Sequence, residues 1–139
     1  MTEPARLDKP LSEARIALVT TGGVHLPEDD RFDIDDPAGD CSYREIPTDS
    51  PGLDGLTWTH AYFADRRSGS SHREDLDCVF PLWTMLGLVE EGVVGGLNRR
   101  HFSFMGAIHD TTGLEERTAP EVSGLLAEDA ADAVLLTPS

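Results

Sequence analysis

The chain has 139 residues, which is enough for one domain with a sizeable hydrophobic core. Its 26 acidic and 11 basic residues give a formal net charge of -15 at pH 7. Nucleic acids and anionic membranes are therefore not expected as partners, because binding them requires clustered Lys and Arg. No apolar run approaches the ~20 residues of a membrane span, and residues 1–10 lack the apolar stretch of a secretory signal, so a cytoplasmic protein is expected.

The amino-terminal half predicts two strands separated by a long loop. Residues 1–13 are polar and contain two prolines, and we expect them to form a flexible arm. The apolar run Arg15–Thr20 predicts a strand that ends in a Thr-Gly-Gly turn at residues 21–23. Residues 27–41 are rich in Asp and predict an irregular loop, whereas the aromatic and β-branched residues 56–63 predict a second strand.

The carboxyl-terminal half predicts two helices and two further strands. Apolar residues at i, i+3, i+4 and i+7 over residues 82–89 predict a helix with one buried face. Residues 101–106 alternate like a strand, although their three large apolar residues could also belong to a packed loop. A second helix is expected to begin at Thr118, which stands in capping-box spacing with Glu121. It leads into residues 132–139, which are typical of a buried strand that emerges into a turn.

Strands interleaved with helices predict an α/β fold with three layers, in which a mostly parallel sheet has helices on both faces. We interpret residues 14–139 as one α/β domain that is incomplete at its C-terminus. Residues 65–77 are charged and contain Ser-Gly-Ser-Ser, so an exposed loop is expected there. Ligands in such folds bind beyond the carboxyl ends of the strands, and the last predicted strand emerges into a turn just before Ser139.

Several polar segments can be interpreted either as binding elements or as ordinary turns. Gly22 and Gly23 could present backbone amides to a carboxylate or phosphate, but the segment lacks a nucleotide-loop pattern, so a plain strand-end turn stays open. The acidic residues 28–36 lack the ligand register of an EF-hand and are more typical of a solvated loop. The 5 histidines show no HxxxH or HExxH spacing, so no metal site is predicted.

The 2 cysteines and His60 are the remaining candidates for chemistry. Cys41 and Cys78 lie far apart and outside any CxxC motif, so we expect reduced thiols rather than a disulfide or zinc site. Cys78 stands between Asp77 and an apolar pair and is interpreted as a buried structural residue. Cys41 lies in a Gly-Asp-Cys-Ser turn and is the better candidate for a reactive thiol. His60 is either a hydrogen-bonded structural histidine or an acid–base group.

An ordered series of short motifs adds a family resemblance to this interpretation. The motifs are Thr-Thr-Gly-Gly at residues 20–23, Gly-Asp-Cys-Ser-Tyr-Arg at 39–44, His60, Asp-Leu-Asp-Cys-Val-Phe-Pro-Leu at 75–82, Ser-Phe-Met-Gly at 103–106 and Asp-Ala-Val-Leu-Leu-Thr-Pro at 132–138. In this order, over about residues 15–139, they resemble the amino-terminal part of the selenoprotein B family. That family comprises the substrate-specific subunits of glycine, sarcosine, betaine and D-proline reductases.

The resemblance implies reductive cleavage of a C–N bond in a small amino acid or its N-methylated relative, driven by a thiol or selenol. In that family a cysteine or selenocysteine follows the strand that corresponds to residues 133–137, and a helix N-terminus would stabilise its negative charge. The redox residue is therefore expected beyond Ser139, and no cofactor is expected within the chain itself. Either a selenocysteine codon interpreted as a stop has truncated the chain, or a separate polypeptide completes the subunit. In both cases we expect no turnover by this chain alone.

The resemblance also assigns roles to residues of this chain. A small amino-acid-like substrate would be held by Gly22, Gly23, Asp40, Ser42 and Arg44. The guanidinium of Arg44 would pair with the substrate carboxylate, and the two glycine amides would share that charge. The alternative is a structural role without substrate binding, in which Arg44 pairs with an acidic residue of the chain and Asp40 and Ser42 close a turn.

Two catalytic assignments complete the predicted site. His60 would donate a proton to the departing amine, and Cys41 is the thiol candidate within the chain. Other reductase subunits, or the missing carboxyl-terminal part, are the expected partners. A different class of function also stays open, namely a non-catalytic acidic α/β module that binds a partner protein or a small carboxylate.

Overall fold

The computed structural model describes residues 3, 5–62 and 76–139. Within these residues a five-stranded sheet, a two-stranded sheet and two α-helices are present. The larger sheet contains β1 (Arg15–Thr20), β3 (Tyr43–Pro47), β5 (Gly96–Leu97), β6 (Arg100–Phe104) and β7 (Ala133–Thr137). The smaller sheet pairs β2 (Val24–His25) with β4 (Thr57–Trp58), and the helices are α1 (Leu82–Glu90) and α2 (Ala119–Glu128). None of the described helices is long and apolar enough to cross a membrane.

β1 is the central strand of the larger sheet. It pairs in parallel with β7 on one side and with β5 and β6 on the other. β3 joins the outer side of β6 in the antiparallel direction. The predicted α/β fold with a mostly parallel sheet is therefore confirmed.

The two helices cover opposite faces of this sheet. Ile16 and Leu18 belong to the same core cluster as Leu82 of α1. Val19 packs instead in a second cluster with Val122 of α2. Because successive side chains of a strand point to opposite faces, these two clusters lie on the two sides of β1, which gives the predicted three layers.

The predicted N-cap of the second helix is wrong. A π-helical turn, Leu114–Thr118, precedes α2, so Thr118 already has helical dihedral angles (φ -73°, ψ -33°) and makes no capping hydrogen bond. The physical reason lies one turn earlier, where Leu114 packs against the Phe102 and Phe104 cluster. Burying Leu114 keeps the chain helical before residue 118 and removes the need for a cap there.

His101 closes a gap in the centre of the sheet. β1 pairs with β5 at residues 15 and 16 and with β6 at residues 19 and 20, so the amide of Leu18 faces the break between them. That amide donates to Nδ1 of His101 at 2.9 Å, and Nε2 lies 2.9 Å from Oγ1 of Thr48. His101 is fully buried, and burial lowers its pKa to about 4. The ring is therefore neutral, with its proton on Nε2.

At the amino ends of the strands, two carboxylates join elements that are distant in sequence. The buried side chain of Asp129 accepts hydrogen bonds from Asn98, Arg99 and Arg100. Burial raises the pKa of Asp129, but these hydrogen bonds outweigh it and lower the pKa to about 2. Asp132 accepts from the amide of Arg15 at 2.9 Å and pairs with Lys9 at 2.8 Å.

Two predicted strands differ from the structure. The strand predicted over residues 56–63 is shorter, since only Thr57–Trp58 pair, with the two-residue strand β2. The last strand forms where predicted, but it is not buried: Val134, Leu135 and Leu136 are 39%, 38% and 68% exposed. Its exposure arises because β7 has β1 as its neighbour on one side and no further strand of the described residues on the other.

Two other sequence predictions concern segments with little described structure. In the predicted arm, Leu11–Glu13 form a 3-10 turn, and the Gly95 amide donates to the Leu11 carbonyl at 3.0 Å. The flexibility of residues 1–13 stays a prediction. The loop predicted over residues 65–77 lies outside the described residues except for its last two positions.

Candidate functional site

The candidate site lies at the carboxyl ends of β1, β6 and β7, where three connecting segments meet. The turn after β1 contacts the segment after β7, because the Ser139 amide donates to Oγ1 of Thr21 at 2.9 Å. The same turn contacts the end of β6, since the Gly23 amide donates to the Phe104 carbonyl at 2.8 Å. The carboxyl ends of parallel strands are the usual ligand-binding edge of such sheets.

Gly22 and Gly23 are required by the packing of this turn. Gly23 has φ +66°, and a Cβ atom at this position would lie 2.2 Å from the Thr59 carbonyl oxygen. Both amides are already donated within the chain, from Gly22 to Oγ1 of Thr20 at 3.0 Å and from Gly23 to Phe104. A substrate carboxylate would have to replace these bonds, so the predicted binding role of the two glycines stays a prediction.

The segment before α1 is tied to the same edge of the sheet. The hydroxyl groups of Thr20 and Thr137 both donate to the Val79 carbonyl, at 2.6 and 2.8 Å. Cys78 immediately precedes this carbonyl and is exposed, so its predicted burial is wrong. The reason is that neighbouring Asp77 turns toward α1, where its carboxylate accepts the amide of Trp83 at 3.0 Å. Asp77 stands five residues before Leu82, and an acidic residue shortly before a helix is a sequence signal that could have indicated this capping contact.

His60 lies next to the glycine turn and is 1% exposed. Its Nδ1 accepts the amide of Tyr62 at 3.1 Å, and the two rings are 5.9 Å apart. Burial lowers the pKa of His60, which favours the neutral imidazole. The Tyr62 hydroxyl in turn lies 3.1 Å from Nε2 of His109. Tyr62 was not predicted as a site residue, and no sequence signal links it to a histidine 47 positions away.

Asp40, Ser42 and Arg44 form a second group, which the structure uses to hold the acidic loop. Asp40 accepts the amides of Asp33 and Ser42, both at 2.8 Å. Burial raises the pKa of Asp40, but hydrogen bonds from Ser42 and the Asp33 amide outweigh it and hold the pKa below its usual range. Arg44 donates to Oγ of Ser42 at 2.8 Å and to the Asp30 carbonyl at 2.7 Å.

The guanidinium of Arg44 makes further contacts that limit its availability. It donates to the carbonyls of Tyr43 and Arg31 at 3.0 and 3.2 Å, and its Cζ lies 4.3 Å from the centre of the Phe32 ring. Most of its five N–H donors are thus committed within the chain. Bidentate pairing with a substrate carboxylate would require some of these bonds to open, so that role stays a prediction.

A small apolar cluster lies next to members of both groups of predicted residues. Phe32, Met105 and Ala107 are buried together, with Ala61 packed against them. Arg44 stacks on one part of this cluster, and Ala61 follows His60 in the chain. Cys41 is half-buried, and its sulfur lies 3.6 Å from the Asp110 carbonyl oxygen. The structure thus brings Gly23 next to His60, and Asp40 and Arg44 each contact Ser42.

Comparison with known proteins decides the family. The model of the glycine/sarcosine/betaine reductase selenoprotein B family matches residues 2–139. The chain belongs to this family. It is 36% identical over 129 residues to D-proline reductase subunit gamma of Acetoanaerobium sticklandii, a match that covers 93% of this chain and 50% of the relative. It is 31% identical over 138 residues to glycine reductase complex component B subunit gamma of Peptoclostridium acidaminophilum, covering 97% of this chain and 30% of the relative.

This selenoprotein B family chain therefore spans between about a third and half of the length of these relatives. No solved structure matches it. Within residues 3, 5–62 and 76–139, no three His, Cys, Asp or Glu side chains converge in a way that could hold a metal ion. The chemistry that these residues offer is acid–base exchange at buried imidazole, thiol chemistry at an exposed cysteine and hydrogen bonding from hydroxyl and amide groups.

Proposed function

We propose that this chain is the substrate-side part of a thiol- or selenol-dependent reductase that cleaves a C–N bond. The candidate substrates are glycine, sarcosine, betaine and D-proline, and other reductase subunits are the proposed partners. Membership of the selenoprotein B family over residues 2–139 carries the proposal. The names of the relatives, which are subunits of D-proline reductase and glycine reductase, support it.

The redox residue of the proposed enzyme is a cysteine or selenocysteine that lies outside residues 1–139. Its thiolate or selenolate would displace the amine from the substrate carbon, and a dithiol such as dithiothreitol would then release the reduced product and regenerate the residue. Overall the C–N bond breaks, the dithiol is oxidised to a disulfide, and the substrate takes up two electrons and two protons. The place where this residue would act is suggested by the contact between the Ser139 amide and Thr21, which sets the end of β7 beside the glycine turn. The residues of this chain would hold the substrate there and deliver protons.

His60 is the proposed proton donor to the departing amine. It lies beside the glycine turn, because a Cβ atom on Gly23 would be 3.6 Å from the Cβ of His60. Burial lowers the pKa of His60, so its imidazolium is a stronger acid than that of an ordinary histidine and forms at lower pH. If this form donates the proton, kcat should rise as the pH is lowered toward the pKa of His60.

We propose that a second group of residues, Asp40, Ser42 and Arg44, does more than contact the substrate. These residues also position the loop that forms one wall of the substrate site. Their hydrogen bonds hold the loop that includes residues 31–35. This loop and Thr59 enclose a pocket of about 120 Å³. The pocket is far smaller than the ~300–1,000 Å³ of sites for drug-sized ligands and suits a molecule with few heavy atoms.

The test is an activity assay on the assembled enzyme. The chain is combined with the polypeptide that carries the remaining family sequence, and oxidation of dithiothreitol is measured with each of the four substrates. We expect turnover with at least one substrate, and none with residues 1–139 alone. His60→Gln should lower kcat at least tenfold and remove the rise in kcat at low pH, whereas Arg44→Ala should mainly raise KM. Glu116→Gln, at an exposed position that is not one of the predicted site residues, is the matched control.

The outcome also distinguishes the second candidate function. An assembled complex that oxidises no dithiol with any of the four substrates would contradict the reductase proposal. It would favour the non-catalytic module that binds a partner protein, which the exposed apolar strand β7 supports. A Cys41→Ser variant with unchanged kcat would remove Cys41 from the proposed catalytic residues.

A further inference from the structure

β7 is an edge strand with one open flank. Its residues Ala133–Thr137 pair with Ile16–Thr20 of β1, and no other strand of the described residues pairs with it. A strand in this position presents a row of backbone N–H and C=O groups that can accept a further strand. Edge strands that must stay unpaired usually carry charges or proline, whereas β7 reads Ala-Val-Leu-Leu-Thr.

The opposite edge of the same sheet has these protective features. β3 carries Arg44, Glu45 and Pro47 within five residues. Proline donates no backbone hydrogen bond, and the charged side chains oppose burial of the strand. The two edges of the sheet therefore differ: β3 carries residues that oppose pairing with a further strand, and β7 does not.

Both faces of the sheet next to β7 are open and apolar. On the α2 side, Val134 and Leu136 line a groove of about 440 Å³ together with Val122 and Leu126. On the α1 side, Ala133 and Leu135 line a second groove of about 290 Å³. The described residues thus leave an apolar surface that runs from one face of the sheet, over the edge strand, to the other face. Contiguous exposed apolar surface of this kind marks an interaction site.

We propose that the β7 edge binds a parallel β-strand with flanking helices, supplied by the polypeptide that carries the remaining sequence of the selenoprotein B family. A parallel strand would continue the direction of β1 and β7, and parallel sheets are covered by helices on both faces. Helices that flank the added strand would fill both grooves. The relatives contain the necessary length, because this chain covers 50% of one and 30% of the other.

A second copy of this chain is a less suitable occupant. Each copy carries a formal net charge of -15, so two copies would repel each other over the whole surface. If β7 paired with β7 of a second copy, only the helices of that copy could cover the two grooves. Those helices already pack against their own sheet. The proposal does not require the reductase chemistry proposed above, since it rests on the open strand, the grooves and the length of the relatives.

The experiment measures association without any assay of activity. The probe is the half of D-proline reductase subunit gamma of Acetoanaerobium sticklandii that the match does not cover, made as a separate polypeptide. We expect a complex of one chain with one probe by light scattering after gel filtration. In that complex, amide hydrogen exchange over residues 133–137 should slow at least tenfold relative to the chain alone.

Leu136→Lys tests the edge, because Leu136 is 68% exposed and its replacement removes no core side chain. It should weaken binding of the probe at least tenfold. Val93→Lys is the matched control, since Val93 is 45% exposed, does not lie on β7, and should change binding less than twofold. Absence of a complex, equal effects of the two variants, or a concentration-dependent dimer of the chain with protected β7 amides would each overturn the proposal. A complex without reductase activity would contradict the proposed function and leave this inference standing.

Discussion

At the amino ends of the parallel strands, charged side chains join the elements, whereas at the carboxyl ends backbone amides and hydroxyl groups do so. The amino end depends on Asp129 and Asp132, which accept hydrogen bonds from residues up to 117 positions away. The carboxyl end contains the glycine turn, two threonine hydroxyls on the Val79 carbonyl, a buried imidazole and an exposed thiol.

This difference separates the residues that hold the fold from those suited to chemistry. Ion pairs of the buried Asp129 carboxylate tie the amino end of β6 to the segment before β7, and hydrogen bonds from Arg15 to Asp129 and Asp132 tie the amino end of β1 to the same segment. The groups at the carboxyl end are an imidazole, a thiol, hydroxyl groups and backbone amides, which are the kinds of group used in acid–base and thiol chemistry. Changes at the two ends should therefore differ in whether they affect stability or reactivity.

The largest effect is expected from Asp129→Ala at the amino end. It leaves the cation of Arg100, which is 16% exposed, without its buried partner, and loss of one partner of a buried ion pair costs about 3–5 kcal/mol. We expect about 3 kcal/mol here, because Arg99 is 69% exposed and stays solvated. The free energy of unfolding, measured with urea, should fall by this amount. Asp132→Ala, whose Lys9 partner is 41% exposed, should cost about 1 kcal/mol or less. Equal losses in the two variants would contradict the distinction between the two carboxylates.

The next largest effect is expected in the pH dependence of the free energy of unfolding, to which His101 contributes. Its folded-state pKa of about 4 is below the ordinary value of 6.5, so the unfolded chain binds this proton more readily. The contribution of neutral His101 to the free energy of unfolding is therefore complete above about pH 6.5. This contribution is lost as the pH falls toward 4, and the total loss is about 3 kcal/mol.

The check is urea unfolding at several pH values between 4 and 7. His25 and His60 also have lowered pKa values from burial and contribute in the same direction, so His101→Gln should reduce this slope without abolishing it. The contribution of Asp129 is separable, because its folded pKa of about 2 places its loss below pH 4. An unchanged slope in His101→Gln would contradict the role of this imidazole.

A smaller loss of stability is expected from Arg44→Lys near the carboxyl end. Lysine cannot reproduce the forked contacts to Ser42, Asp30 and Arg31, and a hydrogen bond to a charged group contributes about 1.5–3 kcal/mol net of its exchange with water, and less where the contact is exposed to solvent, as these are in part. We expect a net loss of about 1–2 kcal/mol, with faster amide exchange in residues 30–42. Arg117→Lys, at an exposed position, should change neither quantity. Unaltered exchange in Arg44→Lys would contradict its role in holding the loop.

The smallest effect is a difference in rate between the two thiols. Cys78 is exposed and Cys41 is half-buried, so a chromogenic disulfide reagent should modify Cys78 about tenfold faster, because it reaches an exposed sulfur more readily. Cys78→Ser should remove the fast phase, and Cys41→Ser should remove the slow one. Similar rates for both thiols would show that the difference in exposure does not control their reactivity.

The predicted elements show which sequence signals were sufficient. The strand Arg15–Thr20 and the helix around residues 82–89 formed where their apolar periodicity placed them, since that periodicity directly specifies a buried face. Thr118 was a less reliable signal, because a helix start also depends on whether the preceding residues are buried, and Leu114 is held by a cluster distant in sequence.

The candidate site shows the same division between local and long-range information. The motif Asp40-Ser42-Arg44 is local, and the structure brings these residues together with one another. The contact of Tyr62 with His109 joins two loops, and the exposure of Cys78 depends on the direction of Asp77. Neither relation has a signature at short sequence separation.

The sequence by itself determined the family, the α/β class and the order of most elements, because hydrophobic periodicity and ordered motifs are properties of the chain alone. Only the tertiary structure decided how the polar groups are used. The amides of Gly22 and Gly23 and the guanidinium of Arg44 are committed to the chain itself, and β7 is an exposed apolar edge rather than a buried strand. These outcomes depend on which groups meet in space, because a buried donor takes the nearest acceptor and a strand is buried only where a neighbour covers it.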